Sequence, residues 1–317
     1  MSNYLGILQN ENTKICRRSS FIVMLVIIVG LIVAAGLIIR LNTGSIHQDK
    51  QWKAELTSEI NQDKKVMAAV GNGSARESLK KDIAINQYRI DHNLKPASGE
   101  TLWGFVSGAA GNMVLVIAVF TIIVISGSIA GEFNSGTIKL LLIRPVYRTE
   151  ILLSKYVSAL LFTVFSLIIL FITSWLVGGL LFGFSGATEA HLVYAHGAVR
   201  QTSWTLAVWQ SYLLSCVSLV MTMTAAGMIA AIFRNSGLAI GISIFMMLAG
   251  PTITALLTRY DWVKYVLFAN TDLSQYTDGT PLVKGMTLGF SLAVLAVYYL
   301  VFIAAGWLFF TRRDVAS

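Results

Sequence analysis

The chain has 317 residues, of which 55% are hydrophobic and 13% are charged, with a net charge of +8 and a mean hydropathy of +0.68. Soluble domains carry about 25% charged residues, so this composition excludes an ordinary soluble protein. The positive charge is better explained by membrane topology than by a nucleic-acid partner, and two cysteines, Cys16 and Cys216, indicate no disulfide framework. The composition predicts an all-α polytopic membrane protein surrounded by the lipid bilayer.

The N-terminal segment, 1–18, combines apolar residues such as Leu8 and Ile15 with a basic cluster that ends at Arg17 and Arg18. This pattern is typical of an amphipathic helix that lies on the membrane surface. The alternative is a disordered tail whose basic cluster only orients the first membrane span.

Six stretches without Asp, Glu, Lys or Arg predict six transmembrane helices, because about 20 apolar residues cross a bilayer. They are 19–39, 101–131, 156–188, 201–233, 235–258 and 285–311. We do not expect the first to be a cleavable signal sequence, since no small-residue cleavage site follows it at Ile38-Ile39-Arg40-Leu41.

The distribution of basic residues predicts the orientation of the chain. Six spans place the N-terminus, the loop 132–155, the turn at Arg234 and the tail 312–317 on one side, with ten Lys and Arg against four acids. The positive-inside rule therefore predicts that both termini are cytoplasmic.

The loops on the other side are expected to be extracellular. The long loop 40–100 shows helical periodicity that Gly71-Asn72-Gly73 interrupts, after which Ser74 and Glu77 match a capping box. We therefore expect a helical hairpin between spans 1 and 2, either a structural cap or a recognition element. The loop 259–284 interleaves aromatic and charged residues, which predicts a short interfacial or re-entrant helix.

The loop 189–200 contains Glu189, His191 and His196, but their spacing fits no standard metal site, and we expect a surface loop. We also find no phosphate-binding loop and no convergent acid, base or nucleophile. The sequence predicts that this chain is not an enzyme and holds no cofactor or metal of its own.

The fourth span carries a row of hydroxyl side chains on one helical face, which are Ser211, Ser215, Ser218 and Thr222. A polar row in a transmembrane helix faces either protein or a water-filled path. Helix packing and the lining of a translocation route both remain open.

The cytoplasmic loop 132–155 is patterned more strongly than a simple connection. Its apolar residues Ile138, Leu141 and Leu142 form one face of a short predicted helix, which Pro145 ends because proline disfavours helix at the preceding residue. After this corner, Thr149 is a candidate N-cap for the next helix, with Glu150 in the first turn, where a carboxylate suits the helix dipole.

Three segments resemble the permease subunits of the type-2 exporter class of ATP-binding-cassette (ABC) transporters, in particular those of low-GC Gram-positive bacteria. The segments are GTIKLLLIRPVYRTEILLSKY (136–156), INQYRIDHNLKP (85–96) and FANTDLSQY (268–276). The resemblance implies a cell-membrane protein that forms a homodimer or heterodimer with a second permease and binds two copies of a cytoplasmic ATPase, which itself holds ATP and Mg²⁺.

In that family the loop between spans 2 and 3 forms a coupling helix on the ATPase. By position, the polar docking contacts would come from Glu132, Arg144, Arg148 and Glu150, and the apolar ones from Ile138, Leu141 and Leu142, with Pro145 and Thr149 shaping the corner. Each charge has the alternative role of a headgroup contact. The implied substrate is an antibiotic, peptide, lipid or ion, and antibiotic resistance is an expected role. The rival interpretation is a non-transporting scaffold or sensor that uses the extracellular hairpin as its ligand module.

Overall fold

The structure is a computed structural model that describes residues 2–43, 52–69, 74–95, 101–134, 147–184, 190–195, 198–277, 281–283 and 285–312. It is mainly helical. In chain order the elements are α1 (Ser2–Cys16), α2 (Ser19–Thr43), α3 (Trp52–Ala69), α4 (Ser74–Asp91), α5 (Leu102–Asn134), α6 (Arg148–Phe182), β1 (Ala190–Ala195), β2 (Ala198–Ser203), α7 (Trp204–Phe233), α8 (Ser236–Leu256), a 3₁₀ helix (Asp261–Tyr265), α9 (Leu267–Thr271), α10 (Ser274–Thr277) and α11 (Leu288–Arg312).

Six of these helices, α2, α5, α6, α7, α8 and α11, are long and apolar enough to cross a membrane. They lie in the six predicted stretches, so the helical multi-pass architecture is confirmed. Four of them continue beyond the uncharged stretches, since α2 runs to Thr43, α5 to Asn134 and α11 to Arg312, and α6 begins at Arg148. The 35 residues of α6 extend about 50 Å at 1.5 Å per residue, which exceeds the roughly 30 Å hydrocarbon core. Its first turns therefore reach outside the bilayer.

Helix α5 lies at the centre of the fold and packs against α2, α6, α7 and α8. Toward its C-terminal end, the buried Ile125 and Ile129 belong to a cluster that includes Ala226 and Ala230 of α7. Gly227 allows the two helices to approach closely here, because a Cβ at this position would lie 3.3 Å from Ile125. Small residues are what membrane helices use for such contacts.

The prediction of an all-α fold is wrong in one place. Strands β1 and β2 form an antiparallel ribbon in which Ala190 pairs with Ser203 and Val193 with Arg200. As a result, the fourth membrane helix begins at Trp204 rather than at 201, and α6 ends at Phe182 rather than at 188. The physical reason is that the two strands contain the β-branched residues Val193, Val199 and Thr202, which favour an extended backbone.

Helices α3 and α4 contact each other, and α4 also contacts the ribbon. Buried Leu56 and Ile60 lie on α3, as the periodicity predicts. The proposed capping box falls on side chains outside the described residues, and the extracellular position of this pair stays a prediction.

The N-terminal segment is helical, and α1 packs on α6. Ile15 of α1 is buried with Met24 and Phe162. The described part of the loop 259–284 contains three short helices, where the aromatic pattern predicted one, and an interfacial or re-entrant position stays a prediction. The buried Asn270 connects α9 to the 3₁₀ helix and to α11, because its amide donates to the carbonyls of Lys264 and Val266 and its Oδ1 accepts from Ser291.

Candidate functional site

The predicted docking residues divide into two groups in the structure. Ile138, Leu141, Leu142, Arg144 and Pro145 lie outside the described residues, so their roles stay predictions. Glu132, Arg148, Thr149 and Glu150 lie at the two helix ends from which that segment leaves.

Glu132 forms ion pairs inside the chain. Its Oε1 lies 2.7 Å from Nζ of Lys155 and 3.4 Å from Nζ of Lys14. Lys155 is only 1% exposed, and its ammonium group also lies 2.9 Å from Oε2 of Glu11. Glu11 in turn pairs with Lys14 at 2.6 Å. These four residues, the charge cluster, join α1, the end of α5 and the beginning of α6.

The charge cluster is electrically balanced, with two lysines and two glutamates. Burial alone raises the pKa of Glu11, but the charges of Lys155 and Lys14 and their hydrogen bonds outweigh burial, so the pKa of Glu11 lies below its ordinary value. Burial lowers the pKa of Lys14, and its bonds to Glu11 and Glu132 more than reverse this, leaving that pKa raised. Both shifts show that the charged forms are the stable ones in the fold.

The beginning of α6 is also tied to the end of α11. Nη1 of Arg148 donates to the carbonyl of Thr311 at 3.0 Å, and Nε1 of Trp307 donates to the hydroxyl of Thr149 at 3.0 Å. The prediction that Thr149 caps this helix is wrong, because α6 begins at Arg148 with Tyr147 at the N-cap position, two residues earlier than predicted. Glu150 does lie in the first turn, as predicted.

A second region of interest is a cavity of about 530 Å³ between α5, α7, α8 and the short helices α9 and α10. The predicted hydroxyl row lies on its wall, with Ser211, Ser215, Ser218 and Thr222 all lining it. The expectation that these four share one face is therefore confirmed. Ser218 also donates a hydrogen bond to the carbonyl of Thr271, which connects α7 to α9.

Sequence reasoning missed the other polar residues of this wall, which are Ser107, Ser243, Thr271, Asp272, Ser274 and Thr277. Ser243 lies on α8, is 6% exposed, and its hydroxyl has no hydrogen-bond partner among the described residues. Oδ1 of Asp272 accepts from the backbone N–H and the hydroxyl of Ser274 at 3.0 and 2.5 Å. In the sequence Asp272 belongs to an outer loop, and no local signal shows that this loop folds back against α7.

The predicted absence of a metal site stays a prediction. His191 lies in β1, and Glu189 and His196 fall outside the described residues. Within the described part of the chain, no group of three or more His, Cys, Asp or Glu is placed to hold a metal ion.

Comparison with known proteins adds a family to this geometry. A family model described as a protein of unknown function, DUF2705, matches residues 81–316. The chain belongs to this family. The match begins within α4 and includes α5 to α11, so it covers the cavity and two of the four charge-cluster residues, Glu132 and Lys155.

Two relatives come from Bacillus subtilis (strain 168). The uncharacterized protein YhcI is 42% identical over 316 residues, which cover 99% of this chain and 100% of the relative. The uncharacterized membrane protein YdbK is 31% identical over 227 residues, which cover 70% of this chain and 87% of the relative. The relative's description as a membrane protein agrees with the six apolar helices, and this DUF2705 protein is a multi-pass membrane protein.

Proposed function

We propose that this DUF2705 protein is the membrane-spanning subunit of an ATP-driven exporter of the ABC type-2 class. It would act as a homodimer or heterodimer of permeases with two copies of a separate cytoplasmic ATPase, which binds ATP and Mg²⁺ and performs the hydrolysis. Antibiotics, peptides, lipids and ions are the candidate substrates of the class.

The observation that carries this proposal is the continuity of α5. One face of this helix, between Ser107 and Ala118, lines the cavity, while Glu132 near its other end belongs to the charge cluster. A movement at the base of the loop 132–155 would therefore reach the cavity wall through a single helix.

The charge cluster supports the same function. The Glu132–Lys155 pair closes the base of the predicted docking segment, and Glu11 adds α1 to the same contact. An ATPase that pulls on this segment would move α1, α5 and α6 together. Since a partner shifts a conformational equilibrium only through different contacts in the two states, the ATPase must grip the loop differently before and after hydrolysis.

The experiment is a pull-down of tagged protein from its native membrane in mild detergent. We expect a soluble ATPase of about 25–35 kDa, the size of one or two domains, to accompany the wild type and the control variant Arg259→Glu. Arg259 is exposed in the loop after α8, on the predicted opposite side. The variant Arg144→Glu should lose the ATPase. Retention by Arg144→Glu would refute the docking assignment, and absence of any ATPase from the wild type would favour a non-transporting scaffold or sensor.

A further inference from the structure

We infer that the cavity between α5, α7 and α8 binds an amphiphilic organic cation, and that Asp272 is its counter-charge. This inference deepens the proposed function by naming a substrate class, but ligand binding can be tested without any ATPase. It rests on the charge, depth, shape and polarity of the wall.

The wall carries one sign of charge. Among the described residues that line the cavity, Asp272 is charged and there is no Lys, Arg or His. Asp272 lines this space and is exposed, and no described lysine or arginine forms an ion pair with it. An anionic ligand would meet a carboxylate without any compensating cation, whereas a cation would gain a partner.

The depth of Asp272 strengthens this preference. Helix α7 has 30 residues, about 45 Å at 1.5 Å per residue, and Ser218 lies near its middle. Because Ser218 bonds to the carbonyl of Thr271, the neighbouring Asp272 lies far from either end of α7. Ionisable groups at such depth are costly and mark ligand or ion pathways, since charge interactions strengthen as the local dielectric constant falls.

The remaining wall fits the apolar part of an amphiphile. Its volume of about 530 Å³ lies within the roughly 300–1,000 Å³ of pockets for drug-sized ligands. Met221, Met246 and Met247 line it together with Phe268. Methionine adapts to ligands of different shapes, and an aromatic ring attracts organic cations through its π-system. The unpartnered hydroxyl of Ser243 offers one directional contact.

The test uses two ions of similar size and shape but opposite charge, tetraphenylphosphonium and tetraphenylborate. The full chain is placed in phosphatidylcholine nanodiscs without ATPase, and binding of labelled tetraphenylphosphonium is measured with empty nanodiscs subtracted. We expect saturable binding that Asp272→Asn weakens by about tenfold, because the ligand then loses the carboxylate that would pair with its positive charge. Tetraphenylborate should not bind better to the wild type than to Asp272→Asn.

The matched control is Asp261→Asn, which removes a carboxylate from the same loop. Asp261 is exposed and does not line the cavity, so this variant should bind tetraphenylphosphonium as the wild type does. Equal affinity of wild type and Asp272→Asn would overturn the inference, and so would an equal loss in Asp261→Asn.

A second pair of variants tests the place of binding. A Cβ at Gly111 or at Gly108 of α5 would have no heavy atom within 4 Å, but only Gly111 lines the cavity. Gly111→Phe should place a ring in the cavity and weaken binding, and Gly108→Phe should leave binding unchanged. Unimpaired binding by Gly111→Phe would place the ligand elsewhere and refute the inference. Cation binding without a co-purifying ATPase would instead refute the proposed function and leave this inference standing.

Discussion

Replacing Lys155 with methionine should destabilise the protein more than any other single change in the charge cluster. Methionine keeps an unbranched side chain but removes the ammonium group, which lies 2.9 Å from Oε2 of Glu11 and 2.7 Å from Oε1 of Glu132. Lys155 is 1% exposed, Glu11 is 4% exposed and Glu132 is 14% exposed in their side chains. The variant would therefore leave two nearly buried carboxylates with only Lys14 to compensate them.

The expected loss follows from this burial. Removing one partner of a buried ion pair costs about 3–5 kcal/mol in the free energy of unfolding, because the other charge stays buried and uncompensated. The side chain of Lys14 is 42% exposed, and pairs of exposed charges contribute about 0–1 kcal/mol. On a scale of roughly 2–4 °C per kcal/mol, Lys155→Met should lower Tm by at least about 5 °C.

The assay is thermal denaturation of detergent-solubilised protein, followed by the amount that still elutes as a monodisperse peak after heating. Lys14→Met is the matched control and should retain a Tm close to that of the wild type. Adding Glu11→Gln and Glu132→Gln to Lys155→Met should restore part of the lost stability, since no buried charge then remains unpaired. If Lys155→Met were no less stable than Lys14→Met, the cluster would not be buried as the structure places it.

Three further predictions concern different parts of the fold. The lowered pKa of Glu11 stabilises the fold fully above its ordinary value of 4.5, and this stabilisation is lost as the pH falls through the lowered folded-state pKa. Tm should therefore decrease more steeply in acid for the wild type than for Glu11→Gln. Gly250→Ala should lower the free energy of unfolding by about 1–3 kcal/mol, because its Cβ would lie 2.5 Å from the ring of Phe268. Gly241→Ala on the same helix is the control, since its Cβ would have no heavy atom within 4 Å, and it should be neutral or slightly stabilising. The exposed Cys16 should react with a membrane-impermeant maleimide in inside-out vesicles and not in intact cells, measured in a Cys216→Ser background.

Each of these has an outcome that contradicts it. Parallel pH profiles for the wild type and Glu11→Gln would mean that the cluster does not shift this carboxyl group. Equal effects of the two alanine variants on stability would contradict the close contact between α8 and the loop that follows it. Labelling of Cys16 in intact cells would reverse the predicted orientation of the termini.

The six membrane helices could be predicted because desolvating a charge in lipid is costly, so long uncharged stretches identify spans without any tertiary information. The same reliance on hydropathy explains why the burial of Lys155 could not be predicted. Lys155 borders an uncharged stretch, and the sequence therefore predicts that it lies in a solvated loop. In the structure it is buried and forms an ion pair with Glu11, 144 positions away. Pairing over such a distance depends on how α1 packs, which hydropathy does not contain.

The residues that line the cavity could also be predicted only in part. The hydroxyl row on α7 follows from helical spacing and was recognised in the sequence. Ser243 and Asp272 reach the same wall only because α8 and the segment after it fold back toward α7, an arrangement fixed by the side-chain contacts of Asn270 and Ser218. The β-ribbon was missed because its second strand merges with the uncharged stretch of the fourth span.

The charge cluster also makes a prediction about coupling. Replacing a buried ion pair by neutral groups is often close to neutral in stability, so stability alone does not explain why α1, α5 and α6 meet through charges. We infer that the cluster fixes how these three helices move together. On the function and ligand proposed above, the triple variant Glu11→Gln, Glu132→Gln, Lys155→Met should insert, co-purify with the proposed ATPase and bind tetraphenylphosphonium, yet show little ligand-stimulated ATP hydrolysis in nanodiscs. If the variant showed the same ligand-stimulated hydrolysis as the wild type, the cluster would have only a structural role. Removing a group that couples the loop to the cavity must change the coupling free energy between them.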